Sequence, residues 1–494
     1  MRKVIFGFFI FITFLLFRPI FNNLWYPMHD ATHVSRAYLL EKTLLSGQIP
    51  AIWASELNDG AGYPLFHFYA PLTYYLALFG KLLTGSYFTG LKLVLVLALL
   101  LGMSGMYLLV RKWGRPAGLI ASLSYAFLPY AAVNLYVRGA FAEYLAMGLL
   151  PWVFYCWVDL SSKRKQVLAT MITSLFLLSH NLIPLIAAPF LLVWIILNRP
   201  KNLQTLMMPV FATLLLSSFY LVPLLFERTF VQADSIARTT DYSLHFVSPS
   251  QLWNSTWGYG GSTLGIEDGM SFKVGKVQLI LATLGSILVV IRLKRKELFY
   301  LFAALISLFM TTSYSHILWS QISLLSIVQF PWRYLVLSGF FVSILAGYSV
   351  TLISSKSIQN ILSLLVIQSI LFFNLKYFMP ATTFKANLND YISSSYLANI
   401  PRIIPEYSPV WTALQNQPVE NIVVTKYLYY PTWVVKVEGK GVDTFPSADG
   451  YLAYHQVSDS SQVTIYQSHT FLENISLIIS VFALIYLIKF YVKN

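Results

Sequence analysis

Long apolar runs separated by short polar segments recur along nearly the whole chain. A membrane-spanning helix needs about 20 apolar residues, and fewer where the bilayer is thin. The pattern therefore predicts a mainly α, polytopic membrane protein with about twelve spanning helices. We place them at about 4–21, 88–110, 116–134, 144–160, 166–179, 182–198, 204–226, 275–292, 297–315, 331–352, 358–379 and 471–490. The pair at 166–198 has an alternative interpretation as one long helix broken at His180-Asn181 and Pro184.

Composition supports a membrane environment. The 494 residues are 57% hydrophobic and only 11% charged, with a mean hydropathy of +0.63, whereas soluble domains carry about 25% charged residues. The net charge of +14 lies in short basic clusters between apolar runs, where it orients helices. We therefore expect membrane lipid and no nucleic acid as a partner. The single cysteine, Cys156, excludes a disulfide framework and a multi-cysteine metal site.

The basic clusters also predict the orientation. They comprise Arg2-Lys3, Arg111-Lys112 with Arg115, Lys163–Lys165, Arg199 with Lys201, Arg292–Lys296, Lys356, and Lys489 with Lys493. All fall on one side of the predicted spans, which makes that side and both termini cytoplasmic in the cell membrane. This assignment requires that the short apolar stretch Pro71–Leu83 forms an interfacial or re-entrant helix. The N-terminal run is followed by Arg18-Pro19 rather than by a small-residue cleavage site, so we expect an uncleaved first span.

Three longer segments then face outward, at 22–87, 227–274 and 380–470. The third contains the alternating stretch Trp433–Glu438 followed by the turn residues Gly439-Lys440-Gly441, and alternation with a period of two predicts β-strands. The predicted organisation is a transmembrane domain at 1–379, a small external β-rich domain at 380–470, and a C-terminal helix with a cytoplasmic tail at 471–494.

The polar cluster after the first span is the first candidate site. It contains His29, Asp30, His33, Arg36 and Glu41. Asp30 and His33 have i, i+3 spacing, and Arg36 follows three residues later, so one helix face would present Asp30 beside a histidine or an arginine. The alternative is a polar helix end that meets water and headgroups.

A second candidate is the short turn that holds Arg138 and Glu143. As an ion pair the two residues would be structural; as separate groups, Arg138 would take a phosphate and Glu143 a hydroxyl. His67 lies in a Gly/Pro-rich loop, which we interpret as a loop that docks an interfacial helix. Glu227-Arg228 lies at the end of a span, and we favour a solvated helix end there.

Two further polar positions interrupt apolar runs. His180-Asn181 is interpreted as a helix break whose side chains satisfy freed backbone groups. In Gln329–Tyr334, Trp332 and Tyr334 are typical of interface anchors, whereas Arg333 either extends toward the interface or holds an anion.

Several of these motifs carry a family resemblance. They are His29-Asp30, Gly62–Phe66 with Phe68–Pro71, Arg138–Ala140 with Glu143, Gln329–Arg333 and Tyr429–Trp433. In this order they resemble bacterial membrane proteins labelled as 6-pyruvoyl-tetrahydropterin-synthase-related, which look like relatives of GT-C glycosyltransferases. The resemblance covers most of 1–380, and it implies a GT-C-like helical bundle.

The resemblance implies a sugar transfer from a polyprenyl-phosphate donor to an unknown glycan, lipid or protein acceptor. Asp30 matches the carboxylate that acts in the first outward loop of GT-C enzymes and would be the general base, with Glu143 as the second catalytic candidate. The phosphate would be held by Arg138, Arg228 or Arg333, and His29 or His33 would position the carboxylate. The chain has His29-Asp30 where relatives often have Asp-Glu or Asp-x-Asp. No cofactor is expected, and a divalent metal ion is left open.

Two other functions are compatible with the sequence. A transporter or flippase of a lipid-linked molecule would need polar residues along a path across the membrane, but the ionisable residues gather near one face. A non-catalytic surface or assembly protein on a GT-C-like scaffold would have nearly the same sequence.

Overall fold

The computed structural model describes residues 2–200, 202–239, 241–413, 419, 421–456 and 462–492. Lys201 and Lys493 of the basic clusters lie outside the described residues. The chain forms two compact units, each built from three separate stretches. The first unit comprises Met1–Ala31, Phe79–Val210 and Thr240–Ala386, and the second comprises Thr32–Leu78, Phe211–Thr239 and Asn387–Asn494.

The first unit is helical. Its helices are Arg2–Phe17, Tyr87–Val110, Arg115–Ala126, Pro129–Tyr136, Phe141–Cys156, Lys163–Ser179, Leu182–Asn198, Pro249–Trp253, Lys276–Arg292, Arg295–Thr311, His316–Gln321, Ser323–Ser326, Leu335–Ser349 and Lys356–Asn374. The helices Leu72–Thr84 and Leu203–Leu216 each pass from one unit into the other.

Helices occur at all of the predicted spans. Among the described residues, five helices are long and apolar enough to cross a membrane, and three bent pairs raise this number to eight if each pair is one span. The helices Phe141–Cys156 and Leu182–Asn198 are apolar but shorter. The chain is thus a mainly helical, multi-pass membrane protein with a small β region, as predicted.

The pair at 166–198 forms two helices rather than one. The first ends at Ser179 and the second begins at Leu182. At the break, Nδ1 of His180 accepts hydrogen bonds from the amides of Leu182 (2.9 Å) and Ile183 (3.2 Å). The predicted role of His180 is confirmed, because its side chain satisfies amides that lack a partner in the first turn of a helix.

Small residues allow the helices of the first unit to approach closely. Every residue of helix Leu335–Ser349 is buried, which makes this helix the centre of the unit. A Cβ atom added at Gly148 would lie 2.4 Å from the carbonyl oxygen of Ala98, and one added at Gly285 would lie 2.1 Å from that of Leu345. Glycine at these positions permits the backbone contact that is typical of membrane helix pairs.

The second unit combines helices with two small sheets. Its helices are His33–Leu45, Leu65–Phe68, Ser218–Phe226, Ala233–Thr239, Asn389–Ile392, Ser394–Ile403 and Phe471–Val492. The strands are β1 (Ile422–Leu428), β2 (Trp433–Val437), β3 (Lys440–Val442), β4 (Thr444–Pro446), β5 (Tyr451–His455) and β6 (Val463–Gln467). The sheets are antiparallel, with strand orders β1-β5-β4 and β3-β2-β6. The predicted alternating strand and its turn therefore form β2 and β3.

The strands share their core with distant parts of the chain. Trp433, Val435 and Leu452 are buried in one cluster with Trp53 and Val231. A small sheet buries only one face and needs other segments to complete a core. For this reason the structure groups 387–494 with 32–78 and 211–239, which differs from the three ranges drawn from the sequence.

Candidate functional site

Asp30 and Arg138 are held side by side in the first unit by backbone pairing. The amide of Asp30 donates to the carbonyl oxygen of Arg138 at 2.9 Å, and the amide of His29 donates to that of Val137 at 3.1 Å. Asp30 is partly exposed, and the exposed ring of His29 contacts the carbonyl oxygen of Tyr259 at 3.0 Å. The segment around 29–30 and the turn at 137–140 therefore form one surface with a carboxylate and a guanidinium group.

Arg138 and Glu143 form a buried ion pair. Their Nη1 and Oε1 atoms are 3.0 Å apart, with side-chain exposures of 12% and 0%. The same carboxylate oxygen accepts from the hydroxyl of Tyr130 at 2.7 Å and from the amide of Asn134 at 3.0 Å. Of the two alternatives for this turn, the structure therefore has the ion pair, because a buried carboxylate needs a charged partner.

The electrostatics keep Arg138 charged. Burial by itself lowers the pKa of Arg138, but the charges of Glu143 and Asp30 and the neighbouring Tyr130 outweigh this effect and raise it. Arg138 thus carries a full positive charge at the edge of the surface on which Asp30 lies.

The ring of Trp332 lies close to two arginines. The guanidinium of Arg138 stacks 4.4 Å from its ring centre, and that of Arg333 lies at 5.9 Å. Trp332 is only 3% exposed and Tyr334 6%, so the interpretation of these residues as interface anchors is wrong: both rings pack inside the unit. Arg333 also donates to the carbonyl oxygen of Val328, which fixes its position near Arg138.

Other candidates from the sequence have different surroundings. Helix His33–Leu45 begins after Asp30, so the expected helical face with Asp30, His33 and Arg36 does not form. In the second unit, His33 and Arg36 are buried, and both contact the hydroxyl of Tyr74 at 2.9 Å. Arg228 is about half exposed and pairs with the similarly exposed Asp234 at 3.4 Å.

The second unit contains a buried charged cluster that the sequence did not reveal. His67 lies between two carboxylates, with Nε2 2.8 Å from Oε2 of Glu227 and Nδ1 2.8 Å from Oε1 of Glu473. The three side chains are 2–5% exposed. The interpretation of Glu227 as a solvated helix end is therefore wrong, because packing in the unit removes its carboxylate from water. We call these three residues the His67 cluster.

A helix start organises the His67 cluster. Thr470 precedes helix Phe471–Val492, and its hydroxyl accepts from the amide of Glu473 at 3.1 Å while the Glu473 carboxylate accepts from the amide of Thr470. This reciprocal capping box is a sequence pattern, Thr-x-x-Glu, that could have identified Glu473. The Thr470 hydroxyl also donates to Glu227, so the capping residue joins the two carboxylates.

The protonation of His67 follows from its two neighbours. Burial lowers the pKa of the imidazole, but the close contacts with the carboxylates of Glu227 and Glu473 and their negative charges together outweigh burial and raise it. One ligand atom from each of the three residues lies within 4.8 Å of the other two, an arrangement that suits a metal ion.

A small cavity with a volume of about 30 Å³ adjoins the cluster in the second unit. His67, Glu473 and His469 form its polar wall, and Phe66, Tyr75 and Phe219 are among its apolar lining residues. The cavity gives the buried cluster a neighbouring space that water can occupy.

The several long apolar helices place the chain among multi-pass membrane proteins. The model of the 6-pyruvoyl-tetrahydropterin synthase related domain, described as a membrane protein, matches residues 66–379. This is more than half of the chain, so the chain belongs to this family, as the resemblance predicted. No curated protein matches the sequence.

Solved structures of two GT-C glycosyltransferases align with part of this chain. The arabinofuranosyltransferase AftD from mycobacteria aligns with a TM-score of 0.49 and 15% identity over 78% of this chain and 29% of its own. ArnT from Cupriavidus metallidurans bound to undecaprenyl phosphate has a TM-score of 0.40 and 16% identity over 73% of this chain and 63% of its own. The chain thus spans less than two thirds of the length of either protein.

Proposed function

We propose that the protein is an integral membrane glycosyltransferase that moves a sugar from a polyprenyl-phosphate donor to an acceptor on the outer face of the cytoplasmic membrane. The observation that carries the proposal is the pairing of 29–30 with 137–138, which holds the partly exposed Asp30 beside the charged Arg138. A carboxylate next to a fixed cation is what a transfer with a phosphate leaving group requires.

In the proposed reaction, the carboxylate of Asp30 takes the proton of an acceptor hydroxyl. The acceptor oxygen attacks the anomeric carbon of the donor sugar, and the bond between that carbon and the phosphate oxygen breaks. The electron pair leaves with the polyprenyl phosphate, whose growing negative charge is stabilised by Arg138 and Arg333. Planar guanidinium groups suit this role because they bind phosphate oxygens through two parallel hydrogen bonds.

Glu143 is a positioning residue in this mechanism. Together with Tyr130 and Asn134 it fixes Arg138 from the buried side, and Trp332 fixes the guanidinium plane. A preorganised cation stabilises developing charge without reorganising during the reaction. The mechanism needs Glu143 to remain ionised and does not use it as a base.

The proposal includes the topology predicted from the basic clusters. About twelve helices would cross or enter the bilayer, both termini would be cytoplasmic, and the surface with Asp30 would face outward. The strands of the second unit would then be external and would bind the acceptor or a protein partner. Undecaprenyl phosphate, the ligand of the ArnT structure, is the donor carrier that we would test first.

The experiment is sugar transfer by the full-length protein in vesicles supplied with polyprenyl-phosphate sugars. Asp30→Asn keeps size and hydrogen bonding but removes the base, so we expect a loss of about 10²–10⁴ in rate. Arg333→Ala should weaken donor binding as well, because a phosphate contact also exists in the ground state. Asp59→Asn, which changes an exposed carboxylate of the second unit, is the matched control and should leave transfer unchanged.

Folding and donor binding must be measured in the same preparations. An Asp30→Asn protein that is folded and transfers sugar at the normal rate would remove Asp30 from the mechanism. A folded wild-type protein that binds no polyprenyl phosphate and transfers no sugar would instead favour the non-catalytic assembly function.

A further inference from the structure

The His67 cluster has an unusual arrangement of charge. If His67 is an imidazolium, the two carboxylates leave a net charge of −1 in a site whose side chains are at most 5% exposed. Burying an uncompensated charge costs several kcal/mol. A divalent cation bound to a neutral imidazole and two carboxylates would instead give a neutral site.

The contacts within the cluster are close but poorly directed. Nε2 of His67, Oε2 of Glu227 and Oε1 of Glu473 are buried and make no hydrogen bond of ordinary geometry with any described residue, although the N···O separations are 2.8 Å. In a hydrogen bond, the proton lies near the line between nitrogen and oxygen. A metal ion does not need to lie on that line: two ligand atoms bound to one ion at about 2.1 Å and at right angles are about 3.0 Å apart. The short but poorly aligned N···O contacts therefore suit a bound ion better than a shared proton.

We propose that His67, Glu227 and Glu473 bind one divalent metal ion. The ligand atoms form a triangle with sides of at most 4.8 Å. An ion at its centre is within about 3 Å of each atom, so the two carboxylates can reach coordination lengths of about 2.0–2.2 Å with shifts of less than about 1 Å. One ring nitrogen binds the ion, so the imidazole turns from its position between the two carboxylates until that nitrogen faces both of them.

The donor set defines the class of ion. One imidazole and two carboxylates suit ions such as Zn²⁺ and Mn²⁺, and the absence of thiolate from the set disfavours soft ions such as Cu⁺. Three protein ligands leave a coordination position for water or a small molecule. Since His67 and Glu473 also line the small cavity, the open position has space for water beside it.

Surrounding residues prepare the site. Thr470 donates to both carboxylates, through its hydroxyl to Glu227 and through its amide to Glu473. The ring of His67 packs against Phe68 and Tyr430, with centroid distances of 4.3 and 6.0 Å. The hydrogen bonds from Thr470 hold both carboxylates close together before an ion arrives, which reduces the entropic cost of binding it.

The test is metal binding by the purified full-length protein in lipid nanodiscs, independent of any transfer activity. We expect one Zn²⁺ or Mn²⁺ per chain by elemental analysis and titration, and Co²⁺ absorption typical of nitrogen and oxygen ligands. His67→Gln and Glu227→Gln should weaken binding at least about tenfold, and Glu473→Gln should do the same. The control variants His455→Gln and Glu438→Gln change groups of the same types at exposed positions of this unit.

Two results would overturn the proposal. Folded wild-type protein that binds none of the three ions stoichiometrically would show that the cluster is an imidazolium between two carboxylates. Equal losses in the cluster variants and the controls would show that binding is adventitious and at the surface. Because the wild-type titration needs no variant, a variant that fails to fold leaves the proposal testable.

Discussion

Replacing Glu143 by glutamine tests the ion pair on which the proposed site rests. The change removes the negative charge and keeps one acceptor oxygen for Tyr130 or Asn134. Arg138 then remains charged with a side chain that is only 12% exposed. Breaking a buried pair from one side costs about 3–5 kcal/mol, and we expect the lower end of this range because the guanidinium still stacks on Trp332.

An exposed ion pair of the same unit provides the control. Lys165 and Asp159 also form a contact, but their side chains are 47% and 51% exposed. Water already solvates these charges, so Asp159→Asn should cost about 0–1 kcal/mol. The two substitutions are the same type of change, a carboxylate to its amide, in two environments.

The assay is thermal unfolding in nanodiscs, with intact and unfolded protein separated by size. Glu143→Gln should lower the melting temperature by several degrees, and Asp159→Asn should hardly change it. Adding Arg138→Met to Glu143→Gln should restore part of the loss, because the uncompensated charge is then removed. If Glu143→Gln were as stable as Asp159→Asn, the contact would contribute little and the account of Arg138 as a fixed cation would be wrong.

Two further predictions concern packing and topology. Gly148→Ala should destabilise the first unit by about 1–3 kcal/mol in the same unfolding assay, because the added methyl group meets the backbone of Ala98. Gly261→Ala should be close to neutral, because a Cβ atom added there has no atom within 4 Å. The topology can be tested with single cysteines at exposed serines in a Cys156→Ser background. Cysteines at Ser162 and Ser357 should react with an impermeant thiol reagent only from the cytoplasmic side, and cysteines at Ser250 and Ser468 only from outside. Labelling of Ser162→Cys from outside would reverse the proposed orientation.

Local pattern determined the helices of this chain and one of its hairpins. Apolar runs long enough to span a bilayer have few alternatives to a helix, because lipid offers no partners for backbone groups. The alternation at Trp433–Val437 and the following Gly439 likewise encode β2 and its turn within a few residues. The break at His180 was also predictable, since a polar residue between two apolar runs must satisfy freed amides nearby.

Charge partners within one turn were partly predictable from the sequence. Arg138 and Glu143 are five residues apart, so the ion pair was one of two interpretations, and only burial decided between them. Trp332 was misjudged for the same reason: its sequence position resembles an interface, while packing buries it close to two arginines.

The His67 cluster depended entirely on tertiary structure. His67, Glu227 and Glu473 come from a short loop helix, the end of one apolar helix and the start of the last one, and each alone resembles a polar residue at a helix end. Their chemistry arises when packing excludes water from all three at once, because burial turns ordinary surface charges into groups that need a counter-charge or an ion. No local pattern records that exclusion, since it depends on which distant segments meet.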